Sequence, residues 1–69
     1  MNDKKITLKM ARVGANLTQA QMAEELGIHV VTYNKWEKNP EDISIKDAFR
    51  ICRIVNRSID DIIFFASEG

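Results

Sequence analysis

The apolar residues of this chain fall into short periodic blocks, each bounded by residues that start or stop a helix. In the first block Leu8, Ala11 and Arg12 share one face of a helix predicted over residues 7–13, and Gly14 to Leu17 make a short connection. A second helix starts at Gln19, because Thr18 is a good N-cap and Gln21, three residues on, completes a T-x-x-Q capping box. Leu17 and Met22 staple that start. Ala23 is small where two helices must approach closely, and Gly27 takes the positive φ that ends the helix and turns the chain. A third helix runs from His29 to Lys38, with Tyr33 and Trp36 inward and Val30, Val31, Asn34 and Lys35 outside. Asn39 accepts a left-handed conformation and Pro40 stops the helix. A loop through Ile43 leads to a fourth helix at Ser44, whose buried face reads Ile45, Ala48, Phe49, Cys52 and Val55. Ser58 caps a short fifth helix carrying Ile59, Ile62 and Ile63. The predicted class is all-α, a compact bundle of five helices.

Composition narrows this picture. The 69 residues suit one domain, 1–69, near the lower size at which an apolar core suffices without disulfides or metal. The hydrophobic fraction of 45% is ample for that core. The single cysteine, Cys52, has no partner for an internal disulfide, which fits a reducing cytoplasm and a packed, inert thiol. No apolar run approaches the ~20 residues of a membrane span, and MNDKKITLK lacks a signal peptide's apolar segment. The expected location is cytoplasmic, with no membrane partner. No repeat, low-complexity tract or Gly/Ser linker is present.

Residues 17–39, LTQAQMAEELGIHVVTYNKWEKN, carry most of the functional information. Two short helices across a tight turn, with Arg12 upstream, the LTQ start, Ala23 and Gly27 at the turn and the YxxWE ending, resemble the helix-turn-helix domain of the phage Cro/CI repressor class, also called the xenobiotic-response-element family. Ser44 to Phe64, with SIDDIIF, resembles the family's fourth helix and closing turn, so nearly the whole chain is covered. The resemblance implies a lambda repressor-like DNA-binding domain that lays its third helix in the major groove of double-stranded DNA. It further implies that Arg12 and Glu37 form an ion pair between helices one and three that sets the angle of the recognition helix. Gln19 falls on the family's phosphate-gripping glutamine at the start of helix two.

The residues expected at the DNA are Thr18, Gln19, His29, Val30, Val31, Thr32, Asn34, Lys35, Lys38 and Asn39. Free backbone N–H groups around Gln19 suit a phosphate, although Gln19 also reads simply as a good helix former. Capping alone explains Thr18. His29 stands where Ser, Thr or Asn is the usual cap. Val30 and Val31 can touch the thymine methyl but offer no hydrogen bond, so polar readout falls to Asn34 and Lys35, with Thr32 in support. One histidine without a nearby cysteine gives no metal site, and no cofactor is expected.

Charge complicates a simple DNA reader. Ten basic and ten acidic residues cancel, although residues 1–40 carry six against four. Glu41 and Asp42 follow the recognition helix, where they would repel phosphate. Few cationic contacts imply weak binding by a single copy, which places weight on pairing: Ile54, Phe64 and Phe65, where the fifth helix does not bury them, are the dimerisation candidates, giving a homodimer on half-sites ~34 Å apart. Two functions follow. One is a Cro-like or repressor-like transcriptional regulator of phage or prophage type that occupies a promoter operator. The other is a modulator or antirepressor that uses its valine-bearing surface on a partner repressor protein. Enzymatic activity is not expected, because no nucleophile with base, paired carboxylates or phosphate-cradling glycine loop occurs; Glu24 with Glu25 and Asp60 with Asp61 are neighbours that do not face each other on helices.

Overall fold

The computed structural model describes residues 4–64. Four α-helices form, α1 (Leu8–Gly14), α2 (Gln19–Leu26), α3 (Val30–Lys38) and α4 (Ile45–Val55), with 3-10 turns at Pro40–Asp42 and Ile59–Asp61. Each α-helix opens on a side chain that accepts from its orphan N–H groups. Thr7 accepts from Met10, Thr18 from Gln21, the His29 Nδ1 from Val31 and Ser44 from Asp47. Gln21 returns the favour to the Thr18 N–H at 2.8 Å, which completes the capping box.

Three helices stop in one way. A residue at positive φ follows α1, α2 and α4, namely Asn16 (62°), Gly27 (72°) and Asn56 (58°). The next N–H then reaches back to the last turn: Leu17 to the Arg12 carbonyl, Ile28 to that of Ala23, Arg57 to that of Cys52. Asn39 is not among them. It lies at φ −133°, ψ 72°, because the ring of Pro40 excludes the residue before it from helical geometry.

The fifth predicted helix is a single 3-10 turn capped by Ser58. Beyond it Ile62 is extended and forms an isolated parallel bridge with Ile6, through Ile6 N–H to the Asp61 carbonyl at 3.0 Å and Ile63 N–H to the Ile6 carbonyl at 2.9 Å. Ile62 and Phe64 are buried while Ile63 between them is exposed, the two-residue period of a strand and not the helical spacing read from Ile59, Ile62 and Ile63.

The core gathers Leu8 and Ala11 of α1, Met22, Ala23 and Leu26 of α2, Tyr33 of α3, and Ala48, Ile51, Cys52 and Val55 of α4, closed by Ile43, Ile62 and Phe64. The predicted face of α4 is corrected on one side: Ile51 is buried, and Ile45 and Phe49 are 59% and 52% exposed. Ala48 and Cys52 are small and belong to both possible rows of apolar residues, so the sequence pattern alone does not choose between Ile51 and the Ile45/Phe49 pair. Trp36 is only partly buried, against the core. Among the described residues, no helix is long and apolar enough to cross a membrane.

Gly27 offers a clean test of the turn between α2 and α3. A Cβ there would meet no atom within 4 Å, so Gly27→Ala is penalised only through its left-handed backbone. The expected loss is about 1–2 kcal/mol in urea unfolding.

Candidate nucleic-acid interface

The three elements that would present α3 to a ligand are joined by one buried polar cluster. Arg12 of α1 donates from Nε to Glu37 Oε2 of α3 at 2.6 Å and from Nη1 to the Leu17 carbonyl at 2.8 Å. A longer Nη2 contact reaches Glu37 Oε1 at 3.4 Å. Gln19, at the start of α2, donates its amide to Glu37 Oε1 at 3.0 Å, and the Tyr33 hydroxyl donates to Oε2 at 2.6 Å. The ion-pair side chains are 9% and 7% exposed. No buried side-chain polar atom among the described residues lacks a partner.

This satisfaction decides the protonation states. Burial alone would push the Glu37 carboxyl up, but hydrogen bonds from Arg12, Tyr33 and Gln19 together with the Arg12 charge outweigh it and hold Glu37 below the usual carboxylate range. The Arg12 guanidinium is held above its ordinary value by its hydrogen bond to Glu37, against the opposing effect of burial. Burial, followed by the hydrogen bond to Glu37, raises the Tyr33 phenol far above the ordinary tyrosine value. At neutral pH the cluster is therefore one carboxylate, one guanidinium and one neutral phenol. Cys52 lies apart, and its thiol is raised by burial and then by the charge of Asp61. It has none of the character of a reactive thiolate.

Above this cluster lies a groove of about 580 Å³, lined by Lys9 of α1, Thr18 and Gln19 of α2, and Asn34, Glu37 and Lys38 of α3, with Arg12 and Leu17 also in its wall. The capping box occupies the N–H groups of Thr18 and Gln21, which leaves those of Gln19 and Ala20 in the first turn of α2 without an intrahelical acceptor. The groove thus brings together an open helix N-terminus and two lysines. Lys9 is not among the residues expected from the sequence. Its signal was its place three residues before Arg12, which puts it on the same side of α1.

The other expected residues divide by exposure. His29, Val31, Thr32, Lys35, Lys38 and Asn39 are exposed, and Asn34 is half-buried at the groove. Val31 and Lys35 lie one turn apart in the middle of the open face of α3. Val30 does not share it; it is half-buried and packs on the core. Glu41 and Asp42, just past α3, are exposed.

Two of the three candidates for pairing, Phe64 and Ile54, are used internally. Phe64 is 2% exposed within the core, and Ile54 packs partly against it. The short extended segment turns Phe64 inward, so it offers no surface to a second copy. Phe65 lies outside the described residues.

A family model described as helix-turn-helix matches residues 8–62. An uncharacterized HTH-type transcriptional regulator of Archaeoglobus fulgidus is 34% identical over 61 residues, covering 88% of this chain and 86% of that protein. Another, from Methanocaldococcus jannaschii, is 36% identical over 61 residues, covering 88% and 92%. Both are archaeal proteins, and neither name refers to a phage. No solved structure gives a significant match.

The buried pair makes two checks available. Arg12→Ala or Glu37→Ala strands the other charge in the interior, and each should cost about 3–5 kcal/mol in denaturant unfolding. Because the folded Glu37 carboxyl lies below its ordinary 4.5, its contribution is complete above that value and is lost as pH falls through the folded one. For Tyr33 the sign reverses, with stability held below its ordinary 10.0 and lost as pH rises beyond it. Unfolding followed against pH should show an acid limb that flattens in Glu37→Gln and an alkaline limb that weakens in Tyr33→Phe.

Proposed function

The chain belongs to the helix-turn-helix family, and on that premise we propose that it is a transcriptional regulator that binds a specific duplex operator with α3 in the major groove. The observation that supports this most is the joint placement of the groove and the open face of α3. The first turn of α2 and the lysines of the groove meet the DNA backbone, while Val31 and Lys35 face the floor of the groove in the duplex.

In this reading the phosphate contacts are the Gln19 and Ala20 N–H groups, the second amide hydrogen of Gln19, and Lys9 and Lys38. Thr18 shapes the N-terminus as its cap. Val31 packs on a thymine methyl, Lys35 donates to guanine or to phosphate, and Asn34 at the groove edge reaches adenine or the backbone. Thr32 supports these contacts, and His29 and Asn39 bracket them at the two ends of the helix. Occupation of a promoter operator would block polymerase and repress.

A second reading rests on Val31 and on the acidic residues Glu41 and Asp42, which suit a protein surface better than a polyanion. There the same face would bind a partner repressor. Selection from a random duplex pool at low and moderate salt separates the two. Enrichment of one motif supports operator binding, and a palindrome with centres ~34 Å apart adds a DNA-bound pair. Failure to enrich any motif contradicts the operator reading.

On the selected duplex, Lys9→Ala and Lys38→Ala should each weaken binding evenly across sequences and reduce the salt slope by about 0.9. Val31→Ala should instead change the preference at one A·T position, leaving that slope unaltered.

A further inference from the structure

The open side of α4 carries a surface that nothing in the DNA-binding arrangement uses. Ile45 and Phe49, 59% and 52% exposed, lie one turn apart, and the same row continues to exposed Arg53. Lys46, also exposed, borders the row on its solvent side. Arg50 is engaged at home, with Asp47 at 3.0 Å and the Leu26 carbonyl at 2.9 Å. Neither Lys46 nor Arg53 takes part in the Arg12–Glu37 or Arg50–Asp47 ion pair, and among the described residues both stand as unpaired cations beside an apolar stripe.

Charge and size choose the occupant. A two-fold copy would set this face against itself, bringing Lys46 and Arg53 against the same cations. The apolar stripe is also small: side chains of this size, about half exposed, offer on the order of 200 Å² together, a fraction of the ~800 Å² of polar and apolar surface each partner buries in a standard interface. A short amphipathic helix with a few apolar anchors matches that size, and acidic groups beside its anchors match the charge.

We infer that the Ile45 and Phe49 stripe of α4 docks an amphipathic segment of another protein whose apolar anchors are flanked by Asp or Glu. The anchors pack on Phe49 and Ile45, and the carboxylates meet Arg53 and Lys46. Since α4 packs on α1, α2 and the Ile59–Asp61 turn, docking leaves the outer face of α3 open to duplex. The regulator would thereby hold DNA and a second protein together.

The test uses two synthetic helical peptides that differ only in charge, one with Leu at i, i+3 and i+7 flanked by Glu, the other with every Glu replaced by Lys. Binding is followed by amide chemical shifts of the whole chain. The acidic peptide should shift resonances of residues 45–53 and bind at least tenfold tighter than its lysine counterpart. Phe49→Ser and, separately, Arg53→Glu should each weaken it at least tenfold while the spectrum of the fold and the affinity for selected duplex stay unchanged. Equal binding of the two peptides, shifts away from α4, or no binding would overturn the inference. So would concentration-dependent self-association abolished by Phe49→Ser, which would assign the stripe to a second copy, or loss of duplex binding in that variant, which would assign it to DNA.

Discussion

The carboxylate of Glu37 is the point on which the arrangement of this domain turns. It takes hydrogen bonds from Arg12 of α1, Gln19 of α2 and Tyr33 of its own helix, so one buried anion fixes the three elements around the groove. Arg12 adds a bond to the Leu17 carbonyl, which ties the connection between α1 and α2 to the same centre. A buried charge pair is weak evidence for stability by itself, because desolvation offsets its attraction. Its value here is positional: hydrogen bonds have preferred directions, whereas apolar packing alone would tolerate small rotations of α3.

Position matters because the surface that α3 presents is poor in electrostatic attraction. Two lysines and a helix N-terminus border the groove, but Glu41 and Asp42 lie just past the helix, and the chain as a whole is neutral. A protein with few cations cannot rely on counterion release for affinity. In the proposed operator complex, affinity would depend on fit, with Val31 against a methyl group and short polar contacts at the helix start, and fit requires a helix held at one angle. The polar cluster and the weakly charged surface are therefore two sides of one design.

Much of this was legible in the sequence because helix punctuation is local. Thr18 with Gln21, Gly27 and Ser44 act within a few residues of themselves, and the chain behaves at each as its side-chain chemistry dictates. The expectations left open or overturned, Asn39 apart, depended on distant partners. Phe64 read equally as buried or as a pairing surface, because nothing nearby reveals the bridge of Ile62 to Ile6, which turns alternate residues inward. The rotation of α4 was ambiguous because Ala48 and Cys52 fit either row, and only packing on the other elements selects Ile51 over Phe49. At the groove, the position of Lys9 follows from the side of α1 that Arg12 occupies, so it becomes meaningful once Arg12 has its partner. Asn39 failed for a local reason, since Pro40 steers the residue before it away from helical and toward extended backbone.

The claim that the cluster positions the recognition helix, and does more than hold the fold together, is tested most directly by replacing the ion pair with apolar residues. In Arg12→Met/Glu37→Leu no charge is stranded, and such replacements can preserve or raise stability. Affinity for the selected duplex should then be measured on protein shown to be folded. A folded double variant that binds at least tenfold more weakly than the parent is the predicted result; a folded double variant with undiminished affinity would contradict the account.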